Sequence, residues 1–218
     1  MPDATLTIIS RNYGSWSLRG WLLCRLAGLD VDVVRLSADD ASARAELLHL
    51  SPSFLTPRLE HGDVTVWDVL AIAEYLHEIR PEAGLLPAGR RERAHCRSVS
   101  GEMHAGFANL RSALPMDIRA HHPGFRVYPG AQADIDRIRE IWTECLRAYG
   151  GPFLFGASPT VADAMYAPVC TRFATYDVDL DAGCADLCET VLALPDMVEW
   201  AQLAAREPDG APDLEVEF

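Results

Sequence analysis

The first eighty residues alternate short strands and helices, and after them no convincing pair of strands occurs. "TLTIIS" (5–10) reads as a strand, and "SLRGWLLCRLAG" (17–28) as a helix ended by Gly28. "VDVVRL" (31–36) is a second strand and "DASARAELLHL" (40–50) a second helix. Two short strands then flank a His-Gly-Asp turn in "SPSFLTPRLEHGDVTVW", with Pro57 where the third strand begins, a position that tolerates proline. "DVLAIAEYLHEI" (68–79) closes the series as a helix that Asp68 can cap. The order β-α-β-α-β-β-α permits one compact solution: a right-handed βαβ unit extended by a hairpin, with helices on a small mixed sheet.

The remainder reads as helical. "RPEAGLLPAGRRERAH" (80–95) carries two prolines and two glycines and suits a linker. Met103, Phe107, Leu110 and Leu114, spaced by four, three and four, predict one helix face that Pro115 kinks or ends. Ile135, Ile138, Trp142 and Leu146 predict another, ending at Gly150. "TVADAMYAPVCTRFATY", "DLCETVLAL" and "PDMVEWAQLAARE" add three more helices, the last with Pro195 in its first turn, and "PDGAPDLEVEF" makes a loose acidic tail. The expected division is an α/β domain over residues 1–80, a linker over 81–91, and an all-helical domain over 92–218.

Charge and composition narrow the function. The formal net charge is −13 and every basic residue is arginine, a poor basis for binding nucleic acid or an anionic membrane. No apolar run approaches the roughly 20 residues of a membrane span. The N-terminus lacks the basic region of a signal peptide, so the expectation is a cytoplasmic protein. Six scattered cysteines without a CxxC read as free thiols, with Cys184 and Cys188 on one helix face. His121 and His122 are adjacent and lack partners at ligand spacing, so no metal is expected.

The chemistry-bearing stretch is "NYGSWSLRGWLL" (12–23), where a glycine and two serines stand at a strand-to-helix junction. A helix N-terminus offers unpaired N–H groups and a partial positive charge, which favour an anion such as a thiolate. Together with "TPRL…VTVWDVLAIAEYLHE" and "TVADAMYAP", this stretch resembles the glutathione S-transferase superfamily, in which many bacterial members read NYSSWSLR in the first segment. The resemblance runs from about residue 5 to 205. It implies a thioredoxin-like N-terminal domain, a helical C-terminal domain, glutathione as co-substrate, a small hydrophobic electrophile between the domains, and a homodimer. The opening segment is similar to the zeta-type pattern of cis–trans isomerases, so both conjugation and isomerisation are implied. Thr160 and Asp163 in "TVAD" read as a capping box.

The resemblance assigns roles to particular positions. Ser15 either faces the glutathione sulfur or merely caps the helix, and Ser17 is a further glutathione-binding residue. Thr56, before a cis Pro57, pairs its backbone with the peptide. Asp68 meets the ligand ammonium, and Val69 offers a backbone N–H to its carboxylate. Met103, His104, Phe107 and Arg111 are the candidate electrophile pocket. Several positions depart from the pattern: Gly14 replaces the usual serine, Val69 a hydroxyl residue, and Phe54-Leu55 the frequent Gly-Lys or Gly-Arg. Arg58 either compensates or points to solvent. Each lost partner costs roughly 1–3 kcal/mol if the ligand group stays buried. A second reading is therefore a protein that keeps the fold with a degenerate glutathione site, either a binding protein or a repurposed glutathione-independent enzyme.

Overall fold

The computed structural model describes residues 4–36 and 56–208. The expected helix over 40–50 and the Phe54-Leu55 pair lie outside the described residues. The N-terminal half contains β1 (Ala4–Ile8), α1 (Ser15–Leu26), β2 (Val31–Arg35), β3 (Arg58–His61), β4 (Val64–Trp67) and α2 (Val69–Ile79). The sheet order is β2-β1-β3-β4, with β1 parallel to β2 and antiparallel to β3, and β3 antiparallel to β4. Leu6 pairs with Leu59, and both are fully buried, as is Ile8. Their burial favours this register, since a one-residue slip would turn these side chains to the other face.

Two details of α1 differ from the sequence expectation. The helix opens at Ser15 rather than at residue 17, because the Gly14 carbonyl already accepts from Leu18 N at 2.9 Å. It packs against the proline strand through Gly20: a Cβ there would lie 2.5 Å from Pro57 Cγ. The Thr56–Pro57 bond is cis.

A 3₁₀ turn (Pro81–Ala83) leads to the helical half: α3 (Arg90–Ala105), α4 (Ala108–Ala113), α5 (Pro129–Tyr149), α6 (Val161–Thr175), α7 (Ala182–Leu192) and α8 (Pro195–Ala205). The first of these helices opens at Arg90, inside the segment expected to be linker. The helix face through Met103 and Leu114 is also not one helix. It breaks at Gly106, whose backbone is extended, and Phe107, which adopts a left-handed conformation with φ 62°. The Arg111 guanidinium reaches back to the carbonyls of His104 and Gly106 and so caps the end of α3. Met103, Phe107, Leu110 and Leu114 are nevertheless all buried, so periodicity found the core while missing the break.

Helix α6 is the axis of the helical half. It is buried on nearly every face and packs against α1, α3 and α7. Its start is fixed by the capping box. Asp163 Oδ2 accepts from Thr160 N at 2.7 Å and from Thr160 Oγ1 at 2.9 Å, and Oδ1 accepts from Leu154 N at 2.9 Å. Burial pushes the Asp163 carboxyl from its ordinary 3.8 up to about 6, outweighing the N–H groups that pull it down. The folded state therefore holds this proton more tightly than the unfolded chain does. The group's stabilising contribution is full below pH 3.8 and is lost as pH rises to about 6. Asp163→Ala should cost about 2–4 kcal/mol by leaving buried donors without acceptors. Urea unfolding at a series of pH values should show both that loss and the disappearance of this component of the pH dependence.

Candidate functional site

The site begins where β1 gives way to α1. Ser10 Oγ accepts from both Asn12 N and Tyr13 N at 3.1 Å, which folds the loop tightly. The chain then passes Gly14 so closely that a Cβ there would lie 2.3 Å from the Ser10 carbonyl oxygen and 2.8 Å from Ser17 Oγ. The glycine at this position is thus a requirement of the turn as it stands.

Ser15 is the first residue of α1 and is buried. Its Oγ accepts from Arg19 Nη1 at 3.2 Å. Arg19 is itself fully buried, donates from Nε to the Met165 carbonyl at 2.8 Å, and lies with its guanidinium 4.5 Å from the Trp16 ring centre. A hydroxyl oxygen that accepts from a guanidinium is polarised toward donating its own proton. Ser15 therefore combines a helix N-terminus, a hydroxyl donor and an adjacent cation, the setting that stabilises a thiolate. Ser17 is placed differently: its buried Oγ accepts from Ile9 N at 3.3 Å and ties α1 to the end of β1.

Asp68 caps α2, with Oδ1 accepting from Leu70 N at 2.8 Å and Ala71 N at 3.3 Å. Its other oxygen, Oδ2, is 2.6 Å from His104 Nε2 on α3. The carboxylate expected to meet a ligand ammonium therefore already bridges the two halves. Val69 is almost wholly buried at the helix start, while Thr56 is half-buried and Pro57 buried. Arg58 resolves to neither extreme: it is buried, with Nη2 2.8 Å from Glu60 Oε1.

Trp16 gathers the rest. The His104 ring lies 5.1 Å from it, and the Arg111 guanidinium 5.3 Å. Ser15, Arg19, Trp16, His104, Asp68 and Arg111 thus form a continuous chain of contacts between the halves. Met103, by contrast, is wholly within the core, and Phe107 nearly so. Sequence reasoning missed Arg19. The available signal was spacing, since Ser15 and Arg19 are four apart on a helix and so share a face.

Family models for the glutathione S-transferase N-terminal and C-terminal domains match residues 13–79 and 127–205, respectively. The chain belongs to the glutathione S-transferase superfamily. A probable maleylacetoacetate isomerase of Caenorhabditis elegans is 24% identical over 206 residues, covering 93% of this chain and 92% of its own length. A maleylacetoacetate isomerase of Rattus norvegicus is 27% identical over 78% of each chain. The crystal structure of a maleylacetoacetate isomerase from Anaeromyxobacter dehalogenans superposes with a TM-score of 0.67 at 25% identity, over 98% of this chain and 97% of that one. A glutathione transferase homologue from Burkholderia, with bound glutathione, has the same fold at TM-score 0.69 and 20% identity, over 95% of this chain and all of that one.

The family's usual serine cannot simply be restored at position 14. Gly14→Ser should lower stability by about 1–3 kcal/mol, because the new Cβ must displace the Ser10 carbonyl. Thermal unfolding should show the loss, and glutathione-dependent turnover should fall with it rather than rise.

Proposed function

We propose that this glutathione-dependent enzyme is a cis–trans isomerase of the maleylacetoacetate isomerase type, with Ser15 as the group that stabilises the glutathione thiolate. The observation that carries the reading is the Ser15–Arg19 pair at the N-terminus of α1, in a chain whose relatives over most of its length include maleylacetoacetate isomerases.

The chemistry follows from charge. A free thiol titrates at roughly 8.5, so the site must favour the anion near neutral pH. The thiolate adds to one carbon of a conjugated cis double bond, forming a C–S bond and sending the π pair to the carbonyl oxygen. The former double bond rotates as a single bond. The electron pair then returns, the C–S bond breaks, and glutathione leaves unchanged. The oxygen that carries the transient negative charge needs a fixed cation or donor. Arg111 and His104, both against Trp16, are the groups for that role, and they also suit the carboxylates of a maleyl-type substrate. Backbone groups at Thr56 and Val69 hold the tripeptide. With Met103 and Phe107 in the core, the electrophile meets polar walls more than apolar ones.

The same reading carries a homodimer in a reducing, cytoplasmic setting, which six free cysteines support. One observation favours the alternative of a non-catalytic binding protein: Asp68 Oδ2 is engaged by His104, so a ligand ammonium must share or displace that contact. Ser15→Ala separates the two. In an isomerase, it should lower kcat by about 100-fold and return the bound thiol pKa toward roughly 8.5. Thiolate absorbance against pH and turnover of maleylacetoacetate measure both quantities. Wild-type turnover that survives the substitution would refute the assignment of Ser15.

A further inference from the structure

The loop ahead of Ser15 is held by the helical half as well as by its own Ser10 turn. The Glu207 side chain, just beyond α8, is almost wholly buried, at 5% exposure. Its Oε2 accepts from Ser10 Oγ at 2.8 Å, Arg11 N at 2.9 Å and Asn12 N at 3.2 Å, and Oε1 accepts from Arg11 N at 3.2 Å. Arg35 Nη1 and Arg11 Nη1 approach Oε1 at 3.4 and 3.8 Å. The Glu207 carbonyl accepts from Arg119 Nη1 at 3.1 Å.

Neighbouring groups of the helical half hold the same loop. Trp200 Nε1 donates to the Arg11 carbonyl at 2.9 Å. The Asn12 side chain donates to Asp117 Oδ1 at 2.8 Å and accepts from Arg119 N at 3.0 Å. A carboxylate on consecutive backbone N–H groups makes charge-assisted hydrogen bonds, stronger than neutral ones. Its grip passes onward: Ser10, held by Oε2, orients Tyr13 N, and its carbonyl abuts Gly14. Gly14 immediately precedes Ser15.

We infer that Glu207 is a positioning residue for the thiolate site: the segment after α8 reaches back to the N-terminal domain and fixes the loop that aims Ser15 at the glutathione sulfur. The inference rests on the glutathione-dependent reading above. Glu207 touches no substrate. It acts through the backbone of residues 10–14, so its loss misplaces the Ser15 hydroxyl without removing it.

The test uses the full chain with Glu207→Ala and Glu207→Gln. Hydrogen exchange at the amides of Arg11, Asn12 and Tyr13 reports the grip itself. The pH titration of bound glutathione thiol and the division of the effect between kcat and KM report the consequence. Glu207→Ala should speed exchange at these amides, lower kcat about tenfold or more and raise the bound thiol pKa. Glu207→Gln, which keeps an acceptor oxygen, should recover part of each change. Faster exchange with unchanged kcat and thiol pKa would overturn the inference, making Glu207 a stabilising contact only. Unchanged exchange would overturn it also. A wild-type protein that fails to bind glutathione would instead refute the functional reading on which the inference stands.

Discussion

Helix α1 is shared by both halves of the molecule, and the site depends on that sharing. It packs on β1 and α2 on one side and on α6 and α8 on the other. Nine of its twelve residues, Ser15 to Cys24 with the exception of Trp16, are buried, so little of the helix is left to face water. A helix enclosed this way cannot rotate or slide without emptying part of both cores, and interiors packed to crystal density resist such shifts. The contact of Gly20 with Pro57 sets its height on the sheet, because any larger residue would push the helix away. The N-terminal N–H groups of α1 and the Ser15 hydroxyl are thereby aimed by the whole fold rather than by the local turn.

Against a net charge of −13, the site is locally cationic. Arg19 lies behind Ser15, Arg111 lies on Trp16, and both are buried or nearly so. Their positive charge is little screened there, whereas the acidic surface is screened by solvent and salt. Net charge thus describes the surface, while the candidate site is bordered by enclosed arginines. The cost of enclosing them is offset by carbonyl acceptors such as Met165 for Arg19 and His104 for Arg111.

Local patterns in the sequence were sufficient for much of this arrangement. The Asp68 cap, the Thr160–Asp163 box and the Gly150 helix end all depend on neighbours within a few residues, and each is present. The break at Gly106–Phe107 was hidden because the apolar spacing continues across it, while Arg111, returning from the next helix, caps the end of α3. In the site, Ser15 was singled out by the resemblance, whereas the helix it opens was expected to begin two residues later. The Asp68–His104 bridge and the Glu207 grip were not legible, since each joins residues distant in sequence, 36 and about 195 apart. Periodicity carries no information about such pairs.

Whether this thinned but cationic site holds glutathione is decided most directly by calorimetric titration of the wild-type protein with reduced glutathione. The account predicts saturable binding with Kd at or below about 1 mM, worth about −4 kcal/mol, retained through backbone contacts and the α1 N-terminus. No heat of binding up to about 10 mM would contradict it, and would mean that the His104–Asp68 bridge and the missing side-chain donors have closed the site to the tripeptide.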